Sequence, residues 1–157
     1  MSSISNAVLA GGSEQQNAPL NDISQKEHGH MATGELQTRG KQLRRAIDER
    51  YKKLDAAGSI KHNGKGRNDI SDIVTNYIPI GISFDEAEII LRSVGFKVGP
   101  RGKHPIITNM FLVFANIARY RFTLFGETSV IVTLEPESSN DWRQVKKIEA
   151  GIVKQFL

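Results

Sequence analysis

The spacing of apolar residues changes from a helical to a strand period beyond the loop 99–105, and this change limits the fold more than any other feature. Before Gly95, apolar residues recur every three to four positions, as on one face of a helix. From Met110 onward they form a continuous run and then recur every second position, as in strands. The pattern predicts an α+β fold, in which helices pack on a three- to four-stranded antiparallel sheet, with a flexible N-terminal arm.

The best-defined helix begins after Ser83. Ser83 and Glu86 have the Ser-x-x-Glu spacing of a capping box, in which the two side chains satisfy backbone N–H groups of the first turn. An apolar stripe continues from there, and Gly95 can adopt the left-handed conformation that ends a helix. The sequence therefore predicts a helix over 84–94 and a strand over 96–98.

Two further helices are predicted upstream. The first covers 41–57 and has an apolar stripe made of Leu43, Ile47, Tyr51 and Leu54. A glycine-rich polar segment, 59–68, has the composition of a loop. After it, Asp69 is placed to cap a short helix that Pro79 and Gly81 end.

Three strands are predicted downstream of the loop 99–105. They cover 110–117, 119–125 and about 130–134, and Pro136 closes the sheet. Antiparallel pairing is the economical arrangement for three consecutive strands.

The turn between the last two of these strands has two interpretations. A three-residue turn through 125–127 would place Phe122 opposite Val130, whereas a two-residue turn at Gly126 and Glu127 would place them on opposite faces of the sheet. We favour the longer turn because it keeps both apolar side chains on one face.

The C-terminal segment is predicted to form a last helix, capped by Ser139 or Asn140. Its inner face would consist of Trp142, Val145, Ile148, Ile152 and Phe156. Gly151 interrupts this helix at a cost of about 1 kcal/mol. Residues 151–157 are open to a second interpretation, as a strand.

Composition and charge divide the chain into three parts. Residues 1–37 are rich in Ser, Asn, Gln and Gly and are predicted to be a disordered arm. Residues 38–68 form the basic amphipathic helix and its loop, and 69–157 form the α+β domain. From residue 39 to residue 69 there are ten basic and four acidic residues, a net charge of +6, although the whole chain carries only +4.

The absence of cysteine removes disulfides, thiolate nucleophiles and cysteine-based metal sites. It also favours the reducing cytoplasm as the location. Gly29-His30-Met31 resembles the junction left by cloning, with a native internal methionine as the alternative. If the sequence is truncated, a periplasmic location becomes the alternative. No segment has the roughly 18 apolar residues that crossing a bilayer requires.

No catalytic motif is recognisable. Gly58, Gly64 and Gly66 do not have the spacing of a phosphate-binding loop, and no Gly-x-Ser-x-Gly elbow occurs. None of the four histidines has a metal-binding partner four residues away on a predicted helix. We therefore predict no catalytic residues, no metal and no cofactor, and a protein that is not an enzyme.

One run of the sequence carries a resemblance to a known fold. Residues 77–96, Tyr-Ile-Pro-Ile-Gly-Ile-Ser-Phe-Asp-Glu-Ala-Glu-Ile-Ile-Leu-Arg-Ser-Val-Gly-Phe, resemble the helical opening of the SmpA/OmlA outer-membrane assembly lipoproteins, an outline shared with β-lactamase-inhibitor-like proteins. The resemblance extends over about 70–134. It implies a bacterial module that binds another protein through its sheet or loops. The chain departs from these lipoproteins in lacking a lipoprotein signal and a lipid-bearing cysteine.

Two functions are therefore in competition. The first is a non-enzymatic protein-binding module, such as an inhibitor, immunity or accessory protein, with partner-binding candidates Arg101, Lys103, His104, Arg119 and Arg121. The second is nucleic-acid binding by the basic segment, whose candidates are Lys41, Arg44, Arg45, Lys52, Lys53, Lys61, Lys65 and Arg67. Ion pairs along the helix and the scarcity of aromatic residues in this segment favour the first.

Overall fold

Three helices and six strands make up the part of the chain that the computed structural model describes, residues 30–62 and 64–156. In chain order these are α1 (Thr33–Ala56), β1 (Asn68–Asp69), α2 (Ser71–Tyr77), α3 (Phe84–Val94), β2 (Lys97–Val98), β3 (Gly102–Lys103), β4 (Phe111–Thr123), β5 (Gly126–Pro136) and β6 (Val145–Phe156). The predicted α+β class is confirmed. None of the described helices is both long and apolar enough to span a membrane.

All strand pairs are antiparallel, and the sheet order is β1-β6-β5-β4-β2, with β3 also paired to β4. Six strands replace the three or four predicted. The strand predicted over 96–98 is present as β2. The strands β1 and β3 were not predicted, because with two residues each they are too short for apolar periodicity to reveal them.

One face of the sheet carries the core. Inward-facing side chains of β4, β5 and β6 are buried along the middle of the sheet and join the apolar faces of the helices in one cluster: Val113, Ala115, Val130, Val132, Leu134, Ile148, Ala150 and Ile152. The alternate residues of these strands point to the other side, where Phe114, for example, is 43% exposed. We call that side the open face.

Helix α1 begins earlier than the sequence predicted. Residues 33–37 were assigned to the arm, but they are helical, and Leu36 is 1% exposed within the core. Gly40 marks the contact with α3, because a Cβ atom there would lie 2.4 Å from Ser93 Cβ. The polar, glycine-containing composition resembled a linker, and only tertiary packing shows otherwise. Residues 1–29 of the predicted arm lie outside the described residues.

Helix α3 follows the prediction closely. The Glu86 backbone N–H donates to Ser83 Oγ at 3.2 Å, and Ser83 Oγ donates to Glu86 Oε2 at 2.8 Å. The second oxygen, Oε1, accepts the backbone N–H of Met31 at 2.8 Å, so the cap of α3 also holds the entry to α1. Gly95 ends the helix with φ 108°. At α2, Asp69 accepts the Ser71 backbone N–H but lies one residue before the N-cap.

The two strands predicted over 110–117 and 119–125 are one strand, β4. Its register against β5 shifts between Ile117 and Arg121, and Arg119 within this bulge has φ 52°. The hairpin turn consists of Leu124 and Phe125, with Thr123 opposite Gly126. Both turn predictions are therefore wrong. The bulge shifts the register between β4 and β5, so the turn falls at Leu124 and Phe125 and not at 125–127 or at Gly126 and Glu127.

The predicted last helix is wrong. Residues 145–156 form β6, paired with β5 along its whole length. Val145, Ile148 and Ile152 fit a helical stripe, yet Ile148, Ala150 and Ile152 also alternate as a strand requires, and the sheet pairing decides between them. The strand alternative for 151–157 is correct over 151–156; residue 157 is not described.

Candidate binding surface

The largest group of exposed apolar side chains lies at the β4–β5 hairpin. We call it the hairpin-tip patch; its members and exposed fractions are Phe122 (59%), Leu124 (85%) and Phe125 (73%). Phe156 in β6 lies opposite Gly126 and faces the helix side of the sheet, whereas Phe122 pairs with Glu127 and faces the open side, so Phe156 is not part of this patch. Contiguous exposed apolar surface of this kind marks binding sites in soluble proteins.

The fold itself does not require apolar residues at this turn. Two-residue hairpin turns favour Asn, Asp and Gly, because the common types need a positive φ. Leu124 and Phe125 do not have positive φ, and their side chains add almost nothing to the core. The one position that is sterically fixed is Gly126, where a Cβ atom would lie 2.4 Å from the Gln155 carbonyl oxygen. The apolar character of the turn therefore points to a role in binding.

Cationic side chains lie over aromatic rings on both faces of the sheet at this end. The Arg119 guanidinium lies 5.6 Å from the centre of the Phe122 ring and donates to Glu127 at 3.2 Å. The Lys154 ammonium lies 5.6 Å from the centre of the Phe156 ring, and His62 meets that ring edge-on at 4.7 Å. A cation is attracted to the face of an aromatic ring, and Glu127 offsets the charge of Arg119, so the hairpin-tip patch is mainly apolar.

A cluster of charged and aromatic residues attaches the same end of β4 to α1. The Tyr120 hydroxyl donates to Asp48, and the guanidiniums of Arg44 and Arg121 lie 3.4 and 3.5 Å from the same carboxylate oxygen. Tyr51 packs edge-on against the Tyr120 ring at 5.5 Å. Burial, followed by the bond to Asp48, raises the pKa of the Tyr120 hydroxyl above its ordinary value. The cluster fixes the base of the hairpin.

The five predicted partner-binding residues do not form one site. Arg119 adjoins the hairpin-tip patch, but Arg121 is directed at Asp48 of α1. Arg101 donates to Asp85 and, at 2.8 Å, to Glu88, so it holds its loop against α3.

The other two candidates, Lys103 and His104, lie next to the start of β4, where Lys103 pairs with Phe111. The strand of 13 residues puts about 30–40 Å between its two ends. His104 Nδ1 accepts the backbone N–H groups of Ile106 and Ile107, at 3.1 and 2.9 Å, and thereby shapes the following loop.

The eight nucleic-acid candidates are divided between surfaces. Arg44 donates to the Val94 carbonyl and contacts Asp48, and Arg67 donates to Glu149 on the open face at 3.1 Å. The remaining six are exposed: Lys41, Arg45, Lys52 and Lys53 on α1, and Lys61 and Lys65 in the loop. The basic segment therefore does not present a single surface of eight cations.

Within residues 30–62 and 64–156, no three His, Asp or Glu side chains are grouped so that they could hold a metal ion. The hairpin-tip patch was missed by sequence reasoning, which placed Leu124 in a strand and Phe125 at the junction of that strand with the favoured turn over 125–127. The signal available was the pair itself, two large apolar residues directly before the glycine of a predicted turn.

Comparisons with protein-family models, with curated proteins and with solved structures found no match to this chain. The resemblance to the SmpA/OmlA lipoproteins therefore stays a prediction.

Proposed function

We propose that this chain is a non-enzymatic protein-binding module, of the inhibitor, immunity or accessory kind, that engages its partner through the hairpin-tip patch. The observation that carries the proposal is the exposure of Leu124 and Phe125, at 85% and 73%, in a turn that has no structural need for them. Burying such side chains at an interface contributes about 1.5–3 kcal/mol each.

The base of the hairpin favours recognition by a preformed surface. Tyr120 and Arg121 attach this end of β4 to Asp48 of α1, so the tip is held before a partner arrives. A rigid binding element loses less conformational entropy on association than a flexible one.

The test uses purified candidate partners encoded next to this protein's own gene, measured by size-exclusion chromatography and by the shift in melting temperature. The double variant Leu124→Ser/Phe125→Ser is compared with Ile80→Ser, which also replaces an exposed large apolar residue, 52% exposed, outside the patch. We expect the double variant to lose the complex and Ile80→Ser to keep it. Equal binding by both variants would exclude the hairpin-tip patch as the recognition surface.

A second candidate function is nucleic-acid binding by α1. The observation in its favour is that Lys41, Arg45 and Lys52 are exposed and share the solvent side of the helix at spacings of four and seven. Phosphate contacts of this kind predict that the affinity for a DNA or RNA duplex falls steeply as the salt concentration rises. The double variant Lys41→Gln/Arg45→Gln should bind the duplex more weakly than wild type. Fluorescence anisotropy with a labelled duplex at low and high salt measures it, and no binding at low salt would exclude it.

A further inference from the structure

The outer edge of β4 is unpaired along its second half. β2 pairs with β4 at residues 115–116, and β3 pairs with it at residues 111–112. On this side of β4, no strand among the described residues pairs with 117–123, which we call the free edge. An edge strand presents backbone N–H and C=O groups to which a further strand can pair. Within the free edge, the Tyr120 carbonyl accepts the Arg121 guanidinium at 3.3 Å.

The side chains of the free edge determine what an added strand would contact. Phe122 points to the open face and is 59% exposed. Arg121 points to the helix side, where its guanidinium lies 3.5 Å from Asp48 of α1. Since side chains alternate along a strand, every second residue of an added strand would lie beside Phe122, and the residues between them beside Arg121. The two faces of that strand would therefore meet different chemistry, an aromatic ring on one and positive charge on the other.

The side of α1 that faces the free edge is basic. Asp48 lies on this side, since it contacts Arg121. Lys41, Arg45 and Lys52 lie within about 60° of Asp48 around the helix axis, at about 100° per residue. All three are exposed, and we call them the α1 cations. They extend over about 16 Å of the helix, which is the length of a strand of about five residues.

The α1 cations are available to a partner. None of them forms an ion pair in the described part of the chain. The arginines of the hairpin differ in this respect, because Arg119 is paired with Glu127 and Arg121 with Asp48. The positive charge that a partner would meet at the free edge therefore comes from α1. Such an edge attracts an acidic strand and repels a second copy of itself, since like charges placed opposite each other are destabilising.

We propose that the free edge of β4 receives an extended acidic segment of the partner as an additional strand, with carboxylates toward the α1 cations and apolar side chains toward Phe122. The inference rests on the proposed function, since the same hairpin is the partner-binding element, and it names the chemistry of the partner. Main-chain hydrogen bonds supply affinity in this mode, and the alternating side chains supply specificity. A nucleic acid can contact the α1 cations but cannot extend the strand ladder, so the free edge favours a polypeptide.

The experiment is fluorescence anisotropy on the full chain with three labelled octapeptides, each blocked at both ends. The first alternates glutamate and valine, and the second alternates lysine and valine. The third is the first peptide with its two central valines replaced by proline, so it keeps the charge but lacks two of the N–H groups that a ladder needs.

Two triple variants of the protein separate a local from a general effect of charge. The α1 variant is Lys41→Gln/Arg45→Gln/Lys52→Gln. The matched control removes three other exposed cations, two of them in the loop after α1, and is Lys53→Gln/Lys61→Gln/Lys65→Gln. Circular dichroism verifies that each variant is folded.

We expect the glutamate–valine peptide to bind the wild-type protein at low salt. The lysine–valine and proline-containing peptides should bind at least about tenfold more weakly. The α1 variant should bind the glutamate–valine peptide about tenfold more weakly than wild type, as expected for three exposed ion pairs, and the control within about twofold. In the complex, backbone amides of 117–123 that point to the free edge should exchange with solvent at least about tenfold more slowly, measured by NMR.

Three results would overturn the inference: no binding of the glutamate–valine peptide, equal binding of the proline-containing peptide, or equal weakening in both triple variants. Each leaves the proposed function intact if a foreign partner still requires Leu124 and Phe125. A labelled duplex that binds the α1 cations when no peptide does would replace the inference with the second candidate function. If a foreign partner needs neither the hairpin-tip patch nor the free edge, the proposed function fails together with the inference.

Discussion

Replacing Tyr120 with phenylalanine tests whether the contact between β4 and α1 holds the base of the hairpin. The substitution removes only the hydroxyl that donates to Asp48 and keeps the ring that packs against Tyr51. A hydrogen bond to a charged group contributes about 1.5–3 kcal/mol. The Asp48 side chain is 29% exposed and keeps Arg44 and Arg121 nearby, so we expect a loss around the lower limit of that range, about 1–2 kcal/mol.

The assay is equilibrium urea unfolding followed by circular dichroism. With a slope of about 2 kcal/mol per molar urea, in the middle of the usual range, the loss should lower the midpoint by roughly 0.5–1 M without changing the slope. Tyr77→Phe, at a partly buried tyrosine of α2, controls for the loss of a hydroxyl in general. Tyr120→Phe, Asp48→Asn and the double variant form a cycle in which we expect a coupling of about 1 kcal/mol. A coupling near zero, or a midpoint equal to wild type, would refute this account of the contact.

The same contact predicts a dependence on alkaline pH. Burial and the bond to Asp48 raise the pKa of Tyr120 in the folded protein, so the neutral hydroxyl is favoured there. The stability contributed by the neutral Tyr120 hydroxyl is fully present below the tyrosine pKa of the unfolded chain, about 10. It is lost as pH rises through the pKa of the folded protein. The free energy of unfolding of wild type should therefore fall more steeply above pH 10 than that of Tyr120→Phe, by at most about 1.4 kcal/mol per pH unit.

Three further predictions concern other elements. Gly40→Ala should lower the free energy of unfolding, measured with urea, by about 1–2 kcal/mol, because the Cβ atom of the alanine would meet Ser93 across the α1–α3 contact. A variant as stable as wild type would show that α1 and α3 are not in close contact there. Ser83→Ala should lower the free energy of unfolding by about 1 kcal/mol, because it removes the cap of α3. The control Ser138→Ala, at an exposed serine, should lower it by less than about 0.5 kcal/mol. Equal shifts in the melting temperatures of the two variants would show that the cap contributes nothing. Hydrogen bonds from Lys147 and Arg67 lower the pKa of the Glu149 carboxyl. The stability that the ionised carboxylate contributes is therefore present above the ordinary glutamate pKa and is lost as pH falls through the pKa of Glu149 in the folded protein. Urea midpoints between about pH 5 and pH 3 should fall less for Glu149→Gln than for wild type.

Local signals predicted the elements that local interactions determine. Helix α3 was correct from its cap at Ser83 to Gly95, because the hydrogen bonds that start and end it lie within a few residues of one another. The apolar alternation of β5 was equally direct, since every second residue from Thr128 to Leu134 is buried.

The errors lie where distant residues decide the structure. In β6 the apolar positions fit both periods, and pairing with β5 chose the strand. Leu36 belongs to the core only because α1 lies against α3, which no local pattern reveals. The hairpin-tip patch was hidden by the bulge at Arg119, because a shift in register between Ile117 and Arg121 changes which residues form the turn.

That bulge also determines how the hairpin can vary in length. Between Ile117 and Arg121, three residues of β4 face the single residue that separates Val130 from Thr128 in β5, so β4 contains two residues more than a regular ladder needs. Because side chains alternate with a period of two, excising both would leave every later residue on its present face. Excising one would turn Phe122 toward the helices and expose Arg121. Natural deletions in this bulge should therefore remove two residues at a time. Such a deletion keeps the faces of the sheet but loses the contact between Tyr120 and Asp48 of α1.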